Sequence, residues 1–148
     1  TNENWYAKEA SAKGNRGIEA DNNSNTHDVT PTSNPTIKNL TLIGRGAHEG
    51  ESQAIKLRVG TKGMLDNVVL SNWGTGFDVE HDVTIGYVGS TLKATRVKFD
   101  NVATKSKGKK SDGSSVDVAS VFTEDGTATG AGAGTSTPEW AKGWTVGL

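Results

Sequence analysis

The chain has 148 residues, about one domain's worth, of which only 32% are apolar while Gly contributes 19 and Pro 3. That mixture excludes a helical bundle, because Gly, Thr and Asn are poor helix formers, and no run approaches the roughly 20 apolar residues of a membrane-spanning helix. With 16 basic against 17 acidic residues the net charge is −1, which gives no electrostatic reason for nucleic acid as a partner, and the lack of cysteine excludes disulfides and thiolate metal sites.

In chain order, residues 1–16 are polar, and Trp5 with Tyr6 marks a capping or joining segment. The start at Thr1, with no basic-then-apolar leader, reads as a processed or excised piece. A short motif, Gly17-Ile-Glu-Ala-Asp21, alternates apolar and charged residues as a half-buried strand does. It recurs as Ala54-Ile-Lys-Leu-Arg58, Gly76-Phe-Asp-Val-Glu80 and, more weakly, Ser115-Val-Asp-Val-Ala119. A longer motif interleaves with it at Pro35–Gly44, Gly63–Asn72 and Ser90–Asn101. Ile37, Leu40 and Leu42 match Leu65, Val68 and Leu70 at one constant interval, and Val97 and Phe99 follow Val68 and Leu70 at an interval longer by a single position. Leu92 falls short of that interval from Leu65, so a shift or bulge is expected in the third copy. Val83–Val88 reads as an additional strand, and Asp21–Asn34, Arg45–Gln53 and Ala103–Ser114 read as loop insertions.

Short strands alternating at this period, joined by turns, predict an all-β parallel β-helix, a solenoid of about three to four coils spanning residues 1–122. Like side chains should stack on like: Ile37, Leu65 and Leu92 in one internal ladder, Leu42, Leu70 and Phe99 in a second, and Ile18, Ile55, Phe77 and Val116 in a third. An antiparallel sandwich is the rival, but it has no need of a repeat. Residues 123–148 form a Gly/Ala/Thr-rich segment, a flexible linker or an extended arm, ending in Trp140 and Trp144. Those two residues, four apart, would cap the solenoid or anchor a partner.

The stretches Gly17–Asn23, Ser33–Gly44, Lys56–Gly60 and Gly76–Glu80, with the tail Trp140-Ala-Lys-Gly-Trp144, resemble secreted bacterial proteins with right-handed parallel β-helices of the pectate-lyase-like type. In that group the stretch is similar to the C-terminal part of a longer protein, and the members are mostly surface or lipoprotein-like molecules. The resemblance implies the fold and an extracellular or cell-surface address more than an activity. The Asn-Thr-Asp, Asp-Asp, Gly-His-Gly and Arg-Ile-Lys motifs of polygalacturonase-like hydrolases are missing, as are the Asp-His and Arg-x-Pro-x-x-Arg signatures of pectate lyases.

Candidate chemistry concentrates in Asp78, Glu80, His81 and Asp82. Alternation puts Asp78 and Glu80 on one outward face, with Lys56 and Arg58 at the equivalent positions one coil earlier. These four residues form either a solvated ladder of paired charges, worth about a few tenths of a kcal/mol per pair, or an acid/base site. Asp21, Asn23 and Asp28 lie in an oxygen-rich segment that is either a turn or a calcium site. His27, His48 and His81 share no metal-ligand spacing. Lys105–Lys110 is a basic run without interleaved aromatic residues, which suits a solvated loop or an acidic polysaccharide rather than nucleic acid. Trp73 is the one candidate for an aromatic sugar platform, with packing as the alternative.

The reading that follows is a non-catalytic extracellular structural or adhesive module. Its partners would be an upstream part of the same protein, other subunits or a surface complex. A polysaccharide lyase or hydrolase fragment, or a carbohydrate-binding module, are the alternatives.

Overall fold

A computed structural model describes residues 5–8, 16–46 and 52–143. Among the described residues eight strands make one sheet: β1 (Trp5–Lys8), β2 (Arg16–Asp21), β3 (Thr36–Gly46), β4 (Gln53–Arg58), β5 (Gly63–Glu80), β6 (Leu92–Lys109), β7 (Ser115–Val116) and β8 (Phe122–Glu124). A short helix, α1 (Asp82–Tyr87), separates β5 from β6. The pairings β1–β3, β3–β5, β2–β4, β4–β5 and β5–β6 are all parallel, so two ladders converge on the long strands β5 and β6. This all-β arrangement of stacked parallel strands is that of a β-helix.

Internal stacking follows the sequence repeat at most positions. Leu42 pairs with Leu70 and Leu70 with Phe99; Leu40 pairs with Val68 and Val68 with Val97; Ile18 pairs with Ile55 and Ile55 with Phe77. Their side chains, with Leu57 and Val79, form one continuous core. Two of the expected ladders differ at one end. Ile37 stacks on Leu65, but Leu65 faces Ala94 and Leu92 faces Gly63, because β5 and β6 keep a single uniform offset and no bulge intervenes. Beneath Phe77 lies Ser106, not Val116, since Ser115–Val116 folds back antiparallel on Gly108 and Lys109.

The long strands bend where backbone enters the left-handed region. Asn39, Asn67 and Arg96 have φ of 56°, 56° and 52°, and Asn72 and Asn101 have 63° and 51°. Asn tolerates this conformation better than most residues, and its amide extends the stack. Asn67 Nδ2 donates to Asn39 Oδ1 at 2.9 Å, and Asn101 Nδ2 to Asn72 Oδ1 at 2.8 Å. Strand pairing continues on both sides of each of these positions.

Three further expectations are corrected. Residues 83–88, read as a strand, lie mostly in α1. There Thr84 is buried and its hydroxyl accepts the Gly60 N–H at 2.9 Å, while Ile85 and Tyr87 pack on the core, so tertiary contacts override the β-branched composition. The loop expected from Ala103 to Ser114 is strand as far as Lys109, because β5 offers a parallel edge along its whole length. Trp73 belongs to β5, is buried, and donates its indole N–H to the Leu42 carbonyl at 3.1 Å, which makes it a packing residue.

The segment after β7 seals one end. Val118 and Val121 are buried, β8 pairs with β6, and Phe122 stacks on Phe77 (centroids 5.7 Å apart) and meets Phe99 edge-on at 4.9 Å. The Gly-rich arm is a bound strap. Asn67 Oδ1 accepts the N–H groups of Thr129 and Gly130 at 2.9 and 3.1 Å, and Thr41 Oγ1 accepts that of Ala131 at 2.9 Å and donates to the Gly134 carbonyl at 3.2 Å. A Cβ at Gly130 would sit 2.2 Å from Thr41 Oγ1, so this close approach requires Gly. Trp140 donates its indole N–H to the Ala131 carbonyl at 3.0 Å and stays partly exposed, bracing the strap. Trp144 and His48 lie outside the described residues, and Trp5 enters the fold as a β1 residue in register with Leu40.

Candidate functional site

The alternation of β2, β4, β5 and β6 turns a charged row of each strand to the outside. In register across these strands stand Glu19, Lys56, Asp78 and Lys107, and beside them the pairs Asp21 with Arg58 and Glu80 with Lys109. The rows therefore run acidic, basic, acidic, basic.

At the centre, Lys56 Nζ lies 2.9 Å from Glu80 Oε1 and 3.4 Å from Asp78 Oδ2, and Lys107 Nζ lies 3.3 Å from the same Asp78 oxygen. Pairing was expected; solvation of the whole ladder was not found. The Lys56 and Asp78 side chains are only 4% and 1% exposed. Asp78 Oδ1 is buried and finds no hydrogen-bond partner among the described residues. Such a pair carries a large desolvation cost, and removing one member leaves the other charge stranded.

The flank of the ladder is open. Arg58 Nε and one amino nitrogen donate to the two oxygens of Asp21 at 2.8 and 3.1 Å, and the same amino nitrogen lies 2.6 Å from Glu19. The hydrogen bond it donates to Asp21 raises the Arg58 pKa, against the opposing effect of burial and with help from the charges of Asp21, Glu19 and Glu80. Burial pushes the Glu80 carboxyl up, but the hydrogen bond and charge of Lys56, with His81 and Arg58, outweigh it and hold Glu80 below the usual carboxylate range.

Of the calcium candidates, two have other partners. Asp21 is engaged by Arg58, and Asn23 Oδ1 accepts the N–H groups of Asn25 and Thr26, both at 2.9 Å, in a turn. Asp28 is exposed on the same loop. Among the described residues no group of three His, Asp or Glu is placed to hold a metal ion. The fold does bring His27 and His81 together from distant points of the sequence, ring centroids 4.8 Å apart and edge to face. His81 Nδ1 accepts the Val59 N–H at 3.2 Å. No spacing rule could have found this contact, which depends on loop 22–35 folding over the β4–β5 turn.

Two clefts open on the surface, the second of them beside Glu80 and Lys109 of these rows. One of about 320 Å³ is floored by Trp73, Phe99 and Val102 and rimmed by Asn101, Lys105 and Glu124. Lys105 Nζ sits 5.5 Å from the Phe99 ring centroid and 2.7 Å from Glu124. A second, of about 290 Å³, lies between Glu80, His81, Lys109 and Asp112. Sequence reasoning missed Phe99 and Asn101 as lining residues, since both belong to the stacked repeat that reads as core and bend.

The family model of the pectate-lyase-like β-helix domain matches residues 1–145. The chain belongs to that family. No curated protein and no solved structure shows significant similarity to it. Within a pectate-lyase-like β-helix domain, the outward rows of parallel strands offer a rigid, regularly spaced array of side chains. Here the array between β4 and β6 is filled by mutually neutralising charges.

Proposed function

We propose that this pectate-lyase-like β-helix domain is a non-catalytic structural or adhesive module of the extracellular or cell-surface space, working as part of a larger protein or assembly. The observation that carries this reading is the closed pairing at the centre of the charged ladder. Asp78 is 1% exposed between Lys56 and Lys107, and Glu80 is tied to Lys56. A general acid or base must reach a substrate proton and titrate near the working pH. A buried Asp78 lacks the access, and Glu80, held below the usual carboxylate range, is a poor proton donor near neutrality. Among the described residues no helix is long and apolar enough to cross a membrane.

The cleft over Phe99 favours a second reading, a carbohydrate-binding module. A half-buried aromatic ring beside Asn101, Lys105 and Glu124 combines an apolar surface with polar partners for hydroxyl or carboxylate groups. A panel of acidic and neutral polysaccharides distinguishes the readings. The structural module gives no new reducing ends, no unsaturated products and no saturable binding. Binding without turnover that is lost in Phe99→Ala supports the carbohydrate-binding module. Turnover abolished by Asp78→Asn establishes a lyase or hydrolase and overturns the proposal.

A further inference from the structure

We propose that the Lys56 amine and the Asp78 carboxyl condense into an intramolecular amide bond, with Glu80 as the base, and so crosslink β4 to β5. This goes beyond the functional reading above and does not depend on it. Lys56 and Asp78 are register partners on adjacent parallel strands. They are held there by Ile55 on Phe77 and Leu57 on Val79, all buried. Lys56 Nζ lies 3.4 Å from Asp78 Oδ2 and 2.9 Å from Glu80 Oε1, and the side chains of the reacting pair are shut off from solvent. A rigid scaffold that keeps an amine and a carboxyl in contact replaces a slow bimolecular condensation with an intramolecular one.

Burial also favours the product. An ion pair taken out of water carries a desolvation cost, and Asp78 Oδ1 has no hydrogen-bond partner among the described residues to offset it. Condensation exchanges two buried charges for one neutral amide. The step balances without a co-reactant. A proton passed from Lys56 Nζ to Asp78 gives a neutral amine and a neutral acid, and the amine lone pair then attacks Asp78 Cγ. As the C–N bond forms, Glu80, ionised below the usual carboxylate range, takes the proton shed by the nitrogen. It returns that proton to the hydroxyl, the C–O bond breaks, and one water leaves. Lys107 reaches the same Asp78 oxygen at 3.3 Å but is half exposed, so its ammonium stays hydrated and acts as a counter-ion. The amide joins positions 22 apart in a chain without cysteine, where it restrains the unfolded state as a disulfide does.

The test is the intact mass of the folded chain, at purification and after prolonged incubation at neutral pH. The expected result is a species lighter by about 18 Da, one water, which does not form when the chain is incubated unfolded in urea. Proteolysis should return the Lys56 and Asp78 peptides as one branched fragment that resists hydroxylamine. Lys56→Arg and Glu80→Gln should keep their full masses, and a Glu80→Gln chain that still loses water at Lys56 overturns the assignment of the base. A chain that keeps its full sequence mass throughout overturns the proposal. So does water loss that maps only to Lys107, or only to a hydroxylamine-sensitive succinimide at Asp112-Gly113 or Asp125-Gly126. The mass and its mapping are read on the unsubstituted chain, so they decide the proposal whether or not the variants fold. Glycan turnover would overturn the non-catalytic reading and leave this mass unchanged.

Discussion

Replacing Lys56 by Met tests whether the central charges behave as a buried network. The methionine keeps the stem that packs along the outer face and removes the ammonium, leaving Asp78 with Lys107 at 3.3 Å and Glu80 without its 2.9 Å partner. An exposed ladder would lose a few tenths of a kcal/mol. With Lys56 at 4% and Asp78 at 1% exposure, a buried carboxylate left with one cation in place of two raises the expected loss to about 3 kcal/mol. At a urea m-value of about 2 kcal/mol/M, the unfolding midpoint should fall by about 1.5 M when followed by circular dichroism. Lys105→Met serves as the control, because Lys105 and Glu124 are about half exposed and their pair should contribute at most about 0.5 kcal/mol. Combining Lys56→Met with Asp78→Asn should cost at least about 1 kcal/mol less than the sum of the single changes. A Lys56→Met loss no larger than that of the control, or strict additivity of the pair, would refute the reasoning.

Two further outcomes follow from other parts of the fold. The Asp66 carboxyl is held at about 2, against an ordinary 3.8, by the Arg96 guanidinium and the Thr95 hydroxyl. Its contribution is therefore present above pH 4 and is lost as pH falls toward 2, so Asp66→Asn should lower stability near neutrality by about 1 kcal/mol, discounted for solvent exposure, and flatten the acid limb of a stability-against-pH curve. Asn67→Ala removes both the acceptor for two strap N–H groups and the residue suited to φ 56°, and should cost about 2–3 kcal/mol. Hydrogen exchange should then accelerate at residues 129–131 more than in β6; unchanged strap protection would show that Asn67 does not hold it.

The repeat made most of the stacking legible, because a parallel solenoid places chemically similar side chains at one period and the core selects them repeatedly. Ile18 with Ile55 and Phe77, and Leu42 with Leu70 and Phe99, emerge from spacing alone. The opposite charges of Lys56 and Asp78 were likewise visible as outward neighbours. The amide bends also left a trace, since Asn39 recurs as Asn67 and Asn72 as Asn101 at the interval of the apolar repeat, though a hydrophobic pattern does not register them. Ala94 in the place expected of Leu92 shows the limit: apolar identity suggested a slip, while continuous pairing of β5 with β6 held the register.

By itself the sequence determined the strand period, the inward and outward rows and the signs of the stacked charges, since these depend on residues near one another in the repeat. Only the tertiary structure decided that Lys56 and Asp78 are buried, that the Lys105–Lys109 segment is strand, that the glycine-rich arm is strapped to Asn67 and Thr41, and that His27 meets His81. Each of those depends on what distant segments cover or offer as hydrogen-bond partners. Burial and edge pairing are properties of the assembled surface, and local composition does not encode which segment will supply them.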